Sequence, residues 1–321
     1  MAKVTCITTV LNEEKTIKAF LDSLLQQSKK PDEIIIVDGG SIDRTIEIAK
    51  KYVSKFSNLT AGWRSQISIY IIYGNRSVGR NYAISKASHE LIAVSDVGCI
   101  LDADWLKNII QPFEQDASVD VVAGYYSPNI GKPTIFQQCL ATYTCIMPDK
   151  FTEDFLPSSR SIAFKKSAWK KVGGYPEELD TCEDLVFAKK MKFSSFNFQI
   201  SNHAIVFWPQ KENLWQAFKQ FFNYAKGDGR ALYIRPTTPF LFLRYVVGLI
   251  ILYAFLKTSS PTLLSLLCML FIAYIIWAVV KNYHYIKHWK AFTYLPLLQV
   301  MSDIAVIAGM TVGFVSRFIN V

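Results

Sequence analysis

Three apolar segments after residue 238, "PFLFLRYVVGLIILYAFL", "PTLLSLLCMLFIAYIIWAVV" and "FTYLPLLQVMSDIAVIAGMTVGFV", constrain this chain more than anything before them. Each comes close to the ~20 residues with which an α-helix crosses a bilayer. The third contains Gln299 and Asp303, and polar groups at such depth have to face other helices or water. Gly309 and Gly313 form a small-xxx-small pair through which helices can approach closely. The loop "KTSSP" carries one lysine and "KNYHYIKHWK" carries three, while Arg230 and Arg235 precede the first segment. The positive-inside rule then places the preceding domain and the second loop in the cytoplasm of a multi-pass membrane protein.

The opening stretch "MAKVTCITTVLNEEK" acquires charge too early for a signal peptide, which agrees with a cytoplasmic N-terminal domain. The six cysteines form no Cys-x-x-Cys pair, so most read as small core residues in a reducing compartment. The net charge of +9 sits beside membrane-type segments, which favours anionic lipid and phosphate ligands over nucleic acid.

From residue 1 to about 130 short apolar runs alternate with helical patterns. "VTCITTV", "EIIIVD", "ISIYIIY" and "ELIAVSD" read as strands; "EKTIKAFLDSLLQQS", "RTIEIAKKYVSKF" and "GRNYAISKAS" read as helices between them. Unbroken apolar strands separated by helices predict a mostly parallel sheet covered on both faces. Ligands of such sheets bind beyond the carboxyl ends of the strands, so the loops after Val10, Val37, Tyr73 and Ser95 should surround one crevice. Asp96 emerges there. Asp102 and Asp104 spell an Asp-x-Asp but precede the helical stretch "WLKNIIQPF", so both are expected to cap it. Asp43 should cap the helix that follows it. Further on, Trp215, Phe218 and Phe222 fall on one narrow arc at about 100° per residue, flanked by Lys219 and Lys226, as in a helix lying in a membrane interface.

"TVLNEE", "IIIVDGGSIDRT", "GRN", "VSDVGC" and "GGYPEELDTCEDLVF", in that order, resemble the inverting family 2 glycosyltransferases of the GT-A fold, particularly the membrane-attached ones, over roughly residues 4–230. The resemblance implies an α/β GT-A domain over 1–235, with an interfacial helix within 205–235, and a transmembrane region of about three helices over 236–321. It implies that Thr9 and Glu13 contact a nucleotide, that Asp38 takes the base and that Arg80 faces the phosphates. Leu11 stands where the first loop of the family often has tyrosine. Asp96 matches the first carboxylate of the family's metal-binding Asp-x-Asp, but Gly98 replaces the second. A lone carboxylate with diphosphate oxygens and water still suits Mg²⁺ or Mn²⁺. His203 reads as structural rather than as a further ligand. Of the Glu183–Asp184 pair, the resemblance makes Asp184 the catalytic base and Glu183 its positioning partner or an acceptor contact.

These assignments imply transfer of a sugar from a UDP, GDP or dTDP donor to a hydroxyl of a lipid-linked or membrane-associated glycan, with inversion. A phosphate acceptor is already ionised and needs no base, which makes polyprenyl-phosphate transfer the alternative; a catalytically silent nucleotide-binding membrane protein is a more distant one. "LPSSRSIAF" is expected on the acceptor side, and Gln220 and Arg230 in the segment that closes the site. No Gly-x-Gly-x-x-Gly follows the first strand, which argues against a nicotinamide dehydrogenase.

Overall fold

The computed structural model describes residues 2–59, 66–128, 130–152 and 154–319. They form two compact units, Met1–Gly131 with Cys145–Pro209, and Lys132–Thr144 with Gln210–Val321.

The first unit is built on a sheet of β1 (Val4–Val10), β2 (Glu33–Asp38), β3 (Gln66–Ile71), β4 (Leu91–Val94), β5 (Ile100–Leu101), β6 (Val121–Ser127), β7 (Ile162–Lys165) and β8 (Phe198–Phe207), in the spatial order β3-β2-β1-β4-β7-β6-β8-β5. The strands β3, β2, β1 and β4 are parallel to one another, as expected. Beyond β4 the sheet is mixed: β7 runs antiparallel to β4 and β6, β8 is parallel to β6, and β5 is antiparallel to β8. Two-residue and four-residue strands leave too little pattern for a sequence reading to orient them.

Helices α1 (Ile17–Leu25), α2 (Thr45–Leu59), α3 (Arg76–Lys86), α4 (Trp105–Gln115), α6 (Lys166–Lys171) and α7 (Glu183–Phe193) belong to this unit. They cover both faces of the sheet, and β2 shows why. Its alternate residues Ile34 and Ile36 enter one core with Phe20, Leu21, Ile109 and Ile110 of α1 and α4. Ile35 and Val37 enter the other, with Ala83, Ile84, Phe187 and Met191 of α3 and α7. Strand side chains alternate between faces, so an unbroken apolar run buries on both. Each such aliphatic side chain contributes about 1.5–3 kcal/mol through burial.

The capping expectations are met unevenly. Asp43 accepts the N–H of Thr45 at the start of α2 (3.0 Å). Asp102 accepts the N–H of Asp104 (3.0 Å) and so shapes the turn before α4. Asp104 occupies the N-cap position, but its carboxylate makes no cap bond and accepts instead from the Ser28 hydroxyl. At the amino end of the sheet, buried Glu33 accepts from the Thr5 hydroxyl (2.6 Å), the Ser88 N–H (2.8 Å) and the Ser88 hydroxyl (2.9 Å).

The second unit contains α5 (Ile135–Thr144), α8 (Leu214–Ala231), α9 (Thr238–Thr258), α10 (Pro261–Ile286) and α11 (Ala291–Ile319). The expected boundary at 235 therefore needs correction: α5 and α8 group with the C-terminal helices. The reason is packing, because Phe136, Ala217 and Phe221 share a core with Leu295, Leu298 and Ala305 of α11. Along α8 the aromatic arc forms as read, with Trp215 stacked on Phe218 (5.7 Å) and Phe218 on Phe222 (6.3 Å). Trp215 is exposed and carries the Lys219 ammonium over its ring at 5.0 Å. The carboxylate of Asp228 takes both Nε and Nη2 of Arg235, closing the carboxyl end of α8.

Among the described residues, α9, α10 and α11 are long and apolar enough to cross a membrane, with mean hydropathies of 2.1, 2.7 and 1.7. They differ in burial. The 18-residue apolar window of α9 buries none of its residues and that of α11 buries 44%. The buried stripe of α11 includes Gln299 and Asp303, which face the bundle as polar groups at that depth must. Gly309 and Gly313 lie against the backbone of Phe222 and Lys226 in α8, and Gly229 of α8 lies against Met310.

Candidate active site

The carboxyl edge of the parallel strands gathers most of the residues singled out by sequence. The loop after β1 and the loop after β2 are tied together: Asn12 donates its N–H to the Ser41 hydroxyl (2.8 Å), and its side-chain oxygen accepts from the Ile42 N–H (3.0 Å). Asn12 sits at φ 55°, a left-handed conformation that asparagine tolerates. Asp38 is buried at the end of β2, and its Oδ1 accepts from the N–H groups of Gly40 and Ser41 at 2.8 Å each. Its other oxygen accepts from the Ser41 hydroxyl. Asp38 thus shapes the loop directly. Glu13 receives the Thr45 hydroxyl oxygen on its N–H (2.7 Å), and its carboxylate turns back onto the Thr16 hydroxyl.

Thr9 matters through its methyl group. A Cβ at Gly79 would approach it at 2.8 Å, so the glycine before Arg80 is what allows α3 to lie on β1. Asn75 caps α3, accepting from Ser77 (3.0 Å) and Val78 (3.2 Å). One turn later Arg80 is fully buried. It donates Nη2 to Asp96 (2.7 Å) and Nη1 to Glu183 (2.8 Å), and its Cζ lies 5.3 Å from the centre of the Tyr175 ring. Its guanidinium joins two carboxylates that lie 16 and 103 residues away in sequence. Charge-assisted bonds of this kind are stronger than neutral ones.

Burial alone would raise the Asp96 carboxyl, but Arg80, Arg160 and Arg76 draw it below the usual carboxylate range. Its side chain is 27% exposed, whereas that of Glu183 is 3% exposed. Glu183 is raised, first by burial and then by the charge of Asp184, with Arg80 and Arg76 opposing. Arg76, half exposed, reaches Glu183 at 3.9 Å. Cys182, at φ 69°, turns the chain into α7, placing Glu183 in the core and Asp184 at intermediate burial. A non-glycine residue in that region costs about 1–3 kcal/mol and persists where the surroundings hold it. Asp184 accepts the N–H of Leu185 (2.8 Å) with one carboxylate oxygen.

Asn81, next to Arg80, fixes the approach to α7. Its amide donates to the Tyr175 carbonyl (2.9 Å) and to Glu177 (2.8 Å), and its oxygen accepts from Tyr175 N–H (2.9 Å) and the Trp169 indole (3.0 Å). Gly174, at φ 75°, leaves room for this tie, since a Cβ there would lie 2.8 Å from the Asn81 oxygen.

Two residues were not found by sequence reasoning. Tyr73, just past β3, is 82% exposed and its ring covers Gly40 so closely that a Cβ there would fall 2.6 Å from it. Arg160 stacks on Trp208 at 3.9 Å, donates to Ser158 (3.4 Å) and bears electrostatically on Asp96. Both lie on loops, where no periodic pattern marks them. The only signal was the "SSR" within "LPSSRSIAF" and an aromatic residue ending an apolar run.

As for a divalent ion, no three His, Cys, Asp or Glu side chains converge among the described residues. His203 is exposed on β8. Asp96 fits an ion that takes one protein carboxylate, since Arg80 engages only Oδ1 and the side chain reaches solvent. A Cβ at Gly98 would meet nothing within 4 Å, so space does not explain the missing second carboxylate. The Arg80 Nε and the hydroxyl of Ser95, the residue before Asp96, are buried without hydrogen-bond partners.

An α/β domain with its charged residues gathered at the carboxyl edge of a mostly parallel sheet is the GT-A class of fold. Residues 5–170, just over half the chain, match the family model described as glycosyl transferase family 2, and the chain belongs to that family. It is 24% identical over 289 residues to a poly-beta-1,6-N-acetyl-D-glucosamine synthase of Staphylococcus epidermidis, covering 86% of this chain and 66% of that one. It is 24% identical over 245 residues to the O-antigen chain rhamnosyltransferase RfbN of Salmonella typhimurium, covering 69% and 71%. The chain thus spans about two thirds of the length of these relatives. Among solved structures, it resembles the mannosyltransferase PcManGT from Pyrobaculum calidifontis in complex with GDP-Man and Mn²⁺, with TM-score 0.60, 16% identity and coverage of 99% and 87%. It also resembles S. aureus TarS 1–349 in complex with UDP, with TM-score 0.51, 17% identity and coverage of 99% and 92%.

Proposed function

We propose that this chain transfers a glycosyl group from a nucleoside-diphosphate sugar to a hydroxyl of a lipid-linked or membrane-associated glycan, inverting the anomeric centre. The observation that carries the reading is the buried Arg80 holding Asp96 and Glu183 together beside the more accessible Asp184. Asp184 has one carboxylate oxygen engaged by Leu185 N–H, and the carboxylate takes the proton of the acceptor hydroxyl as its oxygen attacks the anomeric carbon. The bond from that carbon to the diphosphate oxygen breaks, and its electron pair leaves with the nucleoside diphosphate. A single in-line displacement inverts the centre. Glu183 and Arg80 position Asp96, where Mg²⁺ or Mn²⁺ would be held. Such an ion supplies charge neutralisation for the diphosphate.

Thr9, Glu13 and Asp38 shape the donor loops, with Tyr73 offering the aromatic face that Leu11 lacks. The donor is a UDP, GDP or dTDP sugar; the GDP-Man and UDP held by the structural relatives support a nucleotide sugar. The apolar helices support membrane attachment with the catalytic unit in the cytoplasm, on the loop-charge argument. Purified protein assayed against a panel of nucleotide sugars with membrane extracts should show metal-dependent turnover. An Asp184→Asn variant should lose roughly 10²–10⁴-fold in transfer while keeping donor binding. Full transfer by that variant would move the reading to an already ionised phosphate acceptor.

A further inference from the structure

The apolar helices contain a charged cluster that the transfer reaction does not use. From residue 238 onward the sequence has one acidic side chain, Asp303, against Arg244, Lys257, Lys281, Lys287, Lys290 and Arg317. Asp303 is buried and already well supplied. It accepts from Arg244, from the Tyr274 hydroxyl (2.6 Å), from the Tyr245 hydroxyl (3.2 Å) and from the Gln299 amide (2.8 Å). Lys281 donates to the Gln299 oxygen and lies over the rings of Trp277 (4.1 Å) and Tyr143 (4.9 Å). Arg244 lies against the same indole, 5.5 Å from its centre. The two cations thus meet at one half-exposed tryptophan, Arg244 on Asp303 and Lys281 on the Gln299 whose amide donates to Asp303.

Their depth is informative. Arg244 lies six residues into α9 and Lys281 five residues before the end of α10. At 1.5 Å per residue that is ~8–9 Å from the helix ends. If α9 and α10 cross the bilayer in succession, those two ends share one side. The purely apolar stretches begin after Arg244–Tyr245 and stop before Lys281. Both cations therefore lie at the border where lipid phosphates meet hydrocarbon. Long cationic side chains at such a border usually extend outward to bulk headgroups. These two turn inward, onto Asp303 and onto Gln299. Beside Lys281, the Asn282 amide is buried against the Tyr143 hydroxyl, and the Arg244 Nε is buried without an acceptor.

We infer that Arg244, Lys281 and Asn282 form a binding site for the phosphate headgroup of a membrane lipid. Trp277 provides the face along which the lipid chain lies. The inference rests on the reading of α9 and α10 as membrane spans, and it deepens the proposed function by naming the part of a lipid-linked acceptor that the helical unit would hold.

The test uses the full chain in dodecyl maltoside, following thermal unfolding with four probes: farnesyl phosphate, dioleoyl phosphatidic acid, farnesol and inorganic phosphate. Farnesyl phosphate should raise the midpoint saturably by roughly 2–4 °C. An equal response to phosphatidic acid supports a headgroup site; an equal response to farnesol or to inorganic phosphate overturns it. Lys281→Gln should raise the half-saturating concentration by about tenfold, and Lys281→Arg should restore most of it. Lys281→Arg keeps the cation, so its behaviour separates loss of the site from loss of folding. The double variant Arg244→Gln with Asp303→Asn removes the second cation without leaving a buried carboxylate, and unchanged binding in it and in Lys281→Gln would also overturn the site. Asp184→Asn should bind farnesyl phosphate normally, so failure of the lipid site and failure of the transfer reading are separable.

Discussion

The two ends of the sheet treat buried carboxylates in opposite ways. At the amino end Glu33 is satisfied by three neutral donors from Thr5 and Ser88, with His89 3.7 Å away. Burial pushes its carboxyl up, but these hydrogen bonds prevail and hold it below the usual range. At the carboxyl end Arg80 holds Asp96 and Glu183 and keeps its own Nε without a partner. Glu183 is raised there while Asp96 is lowered. A carboxylate meant for stability is closed off by local hydrogen bonds. Asp96 and Glu183 instead are held by one shared cation, and Asp96 reaches solvent, which would suit it to respond if a ligand brought further charge.

Substitutions can break this contrast in order of severity. Arg80→Met should be the most damaging, costing about 3–5 kcal/mol because it leaves buried Glu183 and half-buried Asp96 without their shared cation. Adding Glu183→Gln should recover part of that loss, measured by chemical denaturation of the solubilised chain. At the other end, Glu33→Gln should cost about 1–3 kcal/mol at neutral pH. Because the Glu33 carboxyl is depressed in the folded chain, the unfolded chain binds more protons between the two values. Its contribution is therefore complete above about pH 4.3 and is lost as the pH falls through the folded value. Stability curves of the two proteins should converge in acid; divergence there would contradict the assignment.

Smaller effects should sharpen the contrast. Tyr73→Ala should raise the donor KM by about tenfold with little change in kcat, as expected if an aromatic face worth ~1.4 kcal/mol is lost from binding alone. Gly98→Asp should leave stability within about 0.5 kcal/mol, since no atom obstructs the new side chain. It should tighten Mn²⁺ binding in the absence of nucleotide, read by calorimetry.

The parallel half of the fold was legible because it is written in local patterns: β1 and β2 appear with the expected bounds. So were the polar positions of α11, whose depth in an apolar helix demands partners. The site was legible as a set of motifs but not as a geometry. The link from Arg80 in "GRN" to Glu183 spans 103 residues, and no local pattern encodes such a pair. Asp104 failed as a cap because Ser28, distant in sequence, competes for its carboxylate. The grouping of α8 with α11 depended on tertiary packing of an aromatic face that could equally have met lipid.

The glycines where α8 meets α11 have a mechanical consequence. At Gly229, Gly309 and Gly313 the opposing atoms are chiefly backbone, so no change of rotamer could relieve a larger residue. Rotating or sliding either helix would bring larger side chains into this backbone-lined seam. If α11 crosses a bilayer, the thickness that sets its tilt would then bear on α8 as well.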